Sequence, residues 1–168
     1  NLVSTGHRNP QGIFVDARTE MVFSTEHGPN GGDELNVVST GNDYGWPDVT
    51  YGGPYSSDKF SDWLPGRYVS NHESYTKPMY AWIPAIGPSQ ILRYQGLEFP
   101  SWGGDLLVAT LRDQSIRKLR LEGDRVLFDE RIEIGERIRD LEELDDGKIL
   151  MSFDSGRLGV LSQPNYGD

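Results

Sequence analysis

Residues 106–153 read LLVATLRDQSIRKLRLEGDRVLFDERIEIGERIRDLEELDDGKILMSF. Leu, Ile and Val recur here in short runs, at 106–111, 116–121, 126–134, 138–144 and 149–153, that mostly alternate apolar with charged residues. Period-two alternation is the mark of a strand with one face buried and one wet. Turn signals separate the runs, EGD at 122–124 and DDG at 145–147, and such spacing leaves no room for a long amphipathic helix.

The same rhythm extends toward the N-terminus. Runs at 13–17, 21–26, 35–40, 79–83 and 90–94 carry β-branched and aromatic residues, with DARTE at 16–20 and GGD at 103–105 as turns. Twenty glycines and ten prolines suit many tight turns and count against helix. The expected fold is therefore all-β, a meander. Four strands per radial sheet, at roughly 40 to 50 residues each, is the rhythm of a β-propeller, and on that count the chain holds about three blades. A β-sandwich fits the same pattern. Residues 51–77 break the rhythm; Tyr55, Phe60, Trp63, Tyr68 and Tyr75 argue for an ordered excursion packed on the body and shaping the mouth of a site.

At 168 residues, with 36 % hydrophobic and 11 % aromatic content, the chain is long enough for one domain with a real core, over residues 1–168. Lys and Arg total 16 against 26 for Asp and Glu, a formal charge of −10 that repels nucleic acid and anionic membranes but not a neutral sugar. Without cysteine there is neither a disulfide framework nor a thiolate zinc site, and the redox compartment stays open. No apolar stretch approaches the roughly 20 residues that span a bilayer, and the first residues lack the basic and apolar regions of a signal peptide.

Two Gly/Pro-punctuated segments stand out, GHRNPQG at 6–12 and EHGPNGGDELN at 26–36, followed by YGWP at 44–47. Such turns can aim carbonyl oxygens and side chains at a ligand. Arg8 offers a rigid fork of donors and Asn9 both donates and accepts; in a turn they either pair with an acid at the surface or meet an anionic ligand. Gly28 and Pro29 form either a tight hairpin or a pair of carbonyls presented to calcium, an oxygen-seeking ion. Asp33 and Glu34 fix that turn through local hydrogen bonds or serve a peripheral ion. Arg137 and Arg139 share one face of a strand, where two cations need an anion between them, from Asp140, Glu142 or a ligand.

The order GHRNPQG, EHGPNGGDELN, YGWP and RIRD (137–140) resembles the soluble quinoprotein glucose/sorbosone and aldose sugar dehydrogenases, which use pyrroloquinoline quinone (PQQ), along nearly the whole chain. The resemblance implies the C-terminal half of a six-bladed propeller, closed by a missing N-terminal half or a second copy, and a periplasmic or extracellular place. It implies oxidation of aldose sugars at the anomeric carbon with PQQ and calcium. Arg8, Asn9, Arg112, Arg137 and Arg139 would contact the quinone, with Arg112 standing where the glucose-oxidising branch has Lys. Trp82, in AWIPAIGPS at 81–89, would flank the quinone ring, and the carbonyls of Gly28 and Pro29 would hold calcium. The family's catalytic histidine lies upstream and is matched by none of His7, His27 and His72, so the chain alone is expected to be inactive, with His7 and His27 packing their turns. The competing expectations are a non-catalytic carbohydrate- or protein-binding propeller and a calcium-dependent sugar-lactone hydrolase.

Overall fold

The alternating runs fold as antiparallel strands joined by tight turns. A computed structural model describes residues 1–53 and 72–164; Tyr55, Phe60, Trp63 and Tyr68 of the expected excursion lie outside the described residues. The chain divides into two compact units, Asn1–Pro88 and Ser89–Asp168.

In the first unit, β1 (Pro10–Val15), β2 (Val22–Glu26), β3 (Asp33–Val38) and β4 (Tyr80–Trp82) form one sheet in chain order. Asp16, fully buried, ties the β1–β2 turn by accepting the Arg18 N–H at 3.0 Å and the Thr19 hydroxyl at 2.8 Å. Strand alternation then sorts the sheet. Phe23, Thr25 and Leu35 take one face and Ser24, Glu26, Glu34 and Asn36 the other, with Ser24 opposite Asn36 and Glu26 opposite Glu34. Phe23 and Leu35 are fully buried, and each contributes roughly 1.5–3 kcal/mol by leaving water.

In the second unit, β5 (Pro88–Arg93, its first residue the last of the first unit), β6 (Leu106–Thr110), β7 (Ser115–Glu122) and β8 (Arg125–Glu133) form a second four-stranded sheet, and β9 (Ile138–Glu143), β10 (Ile149–Phe153) and β11 (Leu158–Leu161) a third with three strands among the described residues. One 3-10 turn at Pro100–Trp102 is the only helical element among them. Leu107, Ala109 and Ile116 from one sheet and Ile138, Leu141, Ile149 and Met151 from the other pack with Tyr94 into one core. The Tyr94 hydroxyl satisfies itself by donating to the Gly147 carbonyl at 2.7 Å.

The fold is thus all-β, with three antiparallel sheets. It differs from three equal four-stranded sheets in the third, where β11 pairs with β10 on one edge and with no strand on the other among the described residues.

Candidate functional site

The first unit gathers its polar residues where GHRNPQG meets the β2–β3 hairpin. The hairpin turn holds its shape through glycine and one acid. Gly32 sits at φ +66°, and a side chain there would run into the Gly52 backbone at 2.3 Å; a Cβ on Gly28 would meet the carbonyls of Gly31 and Gly32 at 2.3 Å. Asp33, 1 % exposed, accepts the Gly28 N–H at 3.0 Å with one oxygen and the Ile86 and Gly87 N–H groups at 2.8 and 2.7 Å with the other. Three backbone donors compensate the burial of that charge, which would otherwise be costly.

Glu26 does for the other segment what Asp33 does for the hairpin. Its Oε2 accepts the Arg8 N–H at 2.7 Å and the Asn9 N–H at 3.4 Å, and its Oε1 accepts from Asn36 Nδ2 at 2.7 Å and faces His7 Nδ1 at 3.3 Å. Asn36 Nδ2 also donates to Glu34 Oε2 at 3.2 Å. Burial, first, and the neighbouring Glu26 charge push the Glu34 carboxyl up to about 8, against the opposing pull of the Asn36 bond. The shift favours the protonated form of Glu34, which relieves two acids facing each other across strands.

Arg8 lies beside them. Its Nη1 donates to the carbonyls of His27 and Gly28, both at 2.9 Å, and its guanidinium carbon stands 5.3 Å from the centre of the Trp46 ring, a cation–π contact. Arg8, Glu26, Gly28, Glu34, Tyr44 and Trp46 line a small pocket of about 10 Å³, room for one water. Among the described residues no three His, Asp or Glu side chains converge as a metal cage, so the oxygens available to a cation are largely backbone carbonyls.

The remaining expected residues fall as follows. Trp82, 4 % exposed, ends β4 and meets Tyr80 edge-on at 5.3 Å. His27 Nε2 donates to the Pro88 carbonyl at 2.7 Å, a turn-packing role. In the second unit Arg112 is exposed in the β6–β7 turn. Arg137 immediately precedes β9, and Arg139 is the extra residue of a bulge, since Ile138 pairs with Phe153 and Asp140 with Ser152. The anion between these two arginines is neither Asp140 nor Glu142 but Asp154. β9–β10 pairing carries Asp154 to the start of β9, where each of its oxygens accepts from one arginine Nε at 2.7 Å. The two arginines hold the Asp154 carboxyl below its ordinary range.

Tyr44 and Trp46 were not expected to line the site, and Glu26 and Glu34, expected in its turns, were not expected to pair. Glu26 and Trp46 lie within motifs that the sequence made visible, but their convergence depends on the β2–β3 register and the 41–47 turn.

A chain with this arrangement has relatives. The family model described as glucose/sorbosone dehydrogenase matches residues 1–161. Aldose sugar dehydrogenase YliI of Escherichia coli is 35 % identical over 166 residues, 96 % of this chain and 44 % of the relative. A crystal structure of a glucose dehydrogenase superposes with a TM-score of 0.86 at 35 % identity, over 96 % of this chain and 46 % of that one. The PQQ-bound aldose sugar dehydrogenase of Streptomyces coelicolor shares the fold with a TM-score of 0.67 at 24 % identity, over 99 % of this chain and 43 % of that one. The chain spans less than half the length of these relatives. On the match over residues 1–161, it belongs to the glucose/sorbosone dehydrogenase family.

Proposed function

We propose that the full-length protein oxidises aldose sugars at the anomeric carbon with PQQ and calcium, and that residues 1–168 supply part of the cofactor cradle but not the catalytic base. The observation that carries this reading is Arg8 Nη1 on the His27 and Gly28 carbonyls. Two backbone oxygens directed at one cationic nitrogen form an acceptor set that suits a metal ion as well as a guanidinium, so the turn fits calcium chemistry. The pair that converges on Arg8 is His27 and Gly28; calcium would take the Gly28 carbonyl in place of Arg8 Nη1 and add that of Pro29.

The donor set also fits an anionic planar quinone. Arg8 and Asn9 offer hydrogen-bond donors to its carboxylates and carbonyl oxygens. In the second unit Arg112, Arg137 and Arg139 would contact the quinone, with Asp154 holding the last two by their Nε atoms. Trp82 would flank the ring edge. When bound, the quinone supplies the hydride acceptor and calcium a Lewis acid. The chain's own residues bind and orient; the proton on the anomeric hydroxyl is taken by a base outside residues 1–168.

The same reading makes the fold a six-bladed propeller, in which each sheet is a blade and the third gains its fourth strand from chain outside residues 1–168. It also places the protein in the periplasm or outside the cell. The test is turnover: full-length protein reconstituted with PQQ and calcium should reduce an artificial acceptor when given an aldose, whereas residues 1–168 treated alike should not. Acceptor reduction independent of PQQ would overturn the reading.

A further inference from the structure

The His7 ring is specified on every side, yet it is not among the residues lining the pocket. Nε2 lies 2.9 Å from the Ser4 hydroxyl, Nδ1 lies 3.3 Å from Glu26 Oε1, and the ring stacks on Tyr44 with centroids 4.5 Å apart. A ring nitrogen facing a carboxylate carries the proton, so the Ser4 hydroxyl donates to Nε2 and Nδ1–H points at Glu26. Glu26 in turn receives the successive backbone N–H groups of Arg8 and Asn9 on a single oxygen. Two consecutive amides turned toward one anion form a nest, a geometry the anion itself maintains. The Asn9 carbonyl closes the arrangement by accepting the His27 N–H at 3.1 Å, fastening the segment to the end of β2.

We propose that His7 is a positioning residue that, through Glu26, sets Arg8 and Asn9 for cofactor contact. The assignment rests on the reading of Arg8 and Asn9 as quinone contacts. The physical logic is charge compensation in a buried place. Glu26 is 3 % exposed and faces a second acid, Glu34. Without the Nδ1–H donor it is left with less compensation, and the balance between its four donors shifts. The first contacts to yield are the long ones, and the Asn9 N–H, at 3.4 Å, is the longest of the four. Arg8 then keeps its own N–H bond to Glu26, at 2.7 Å, on a segment that its neighbour no longer fastens, and its guanidinium is aimed less tightly.

Two substitutions in the full-length protein separate positioning from packing. His7→Phe keeps a flat ring on Tyr44 and removes the donor. His7→Asn gives up the ring and keeps an amide N–H where Nδ1 stood. Amide resonances of Arg8 and Asn9 report the nest directly, and PQQ titration with saturating calcium reports its use; both are read beside the unfolding midpoint. His7→Phe is expected to move both amide resonances and to weaken PQQ binding about tenfold, the loss of one charge-assisted hydrogen bond. His7→Asn is expected to restore the resonances and most of the affinity.

Unmoved Arg8 and Asn9 amides in His7→Phe, or an Asn variant as impaired as the Phe variant, overturn the positioning role. Moved amides with unchanged PQQ affinity overturn the quinone reading of Arg8 and Asn9 instead. If His7→Phe does not fold, Ser4→Ala, which removes the bond that holds the ring by Nε2, is expected to shift the same two resonances; no shift there overturns the proposal equally.

Discussion

Glu26 and Glu34 stand directly opposite each other on β2 and β3, and one side-chain nitrogen, Asn36 Nδ2, bonds both, at 2.7 and 3.2 Å. Like charges in that relation destabilise a sheet, and burial with the Glu26 charge opposes ionisation of Glu34, its carboxyl pushed up from 4.5 to about 8.

A pH dependence follows from the pair. Below about pH 4.5 both the folded and unfolded chains hold the Glu34 proton; between there and about 8 the unfolded chain releases it while the folded chain keeps it. Stability from this group is complete at the acid end and is lost as pH rises through that window, by on the order of a few kcal/mol. Glu34→Gln is expected to flatten the fall. Denaturant unfolding of the metal-free protein across the window is the check, and parallel slopes in wild type and variant would refute it.

Asp33 is expected to be among the costliest single side chains of the first unit. Asp33→Ala orphans three backbone N–H groups, two of them on residues 86 and 87, far along the chain from the hairpin. Loss of about 3 kcal/mol or more is expected, read as a lower urea midpoint with an unchanged slope. A loss under about 1 kcal/mol would mean that the hairpin is held by its glycines alone.

How much of this was legible beforehand varies with what carries the information. Residues 106–111, 116–121, 126–134, 138–144 and 149–153 predict β6 to β10 within a residue or two, because alternation against a buried face is a local signal. β11, with LGVL, is not legible in the sequence: four residues with a glycine among them show no period. β5 begins earlier than expected, at Pro88, because Pro88 and Ser89 are ordered by burial and not by propensity. At the site, the motif residues Arg8, Asn9 and Gly28 were visible, whereas the Glu26–Glu34 pair was not. Eight positions separate these two acids, and only the hairpin turn, with Gly31 and Gly32 both at positive φ, decides that they face each other. Asp154 was missed for the same kind of reason, since strand pairing and a bulge bring it to Arg137 and Arg139.

The third sheet makes a separate prediction about the whole protein. Phe153 N–H donates to the Arg157 carbonyl at 3.0 Å, and the alternation of an antiparallel ladder then turns the amides of Leu158 and Val160 away from β10. Both side chains are more than half exposed, at 71 % and 52 %, on an edge without Lys or Pro to protect it. In full-length protein these two amides are expected to exchange slowly with solvent, because a fourth strand pairs there. Exchange at the rate of loop amides would contradict the propeller closure proposed above.

The most direct measurement is calorimetric titration of PQQ into the full-length protein, with and without calcium. The expected result is saturable binding near one quinone per chain that requires calcium and is weakened by Arg8→Ala. Heat indistinguishable from that of buffer, or binding that neither calcium nor Arg8 affects, would contradict the central claim that this family member's turns form a quinone and calcium cradle.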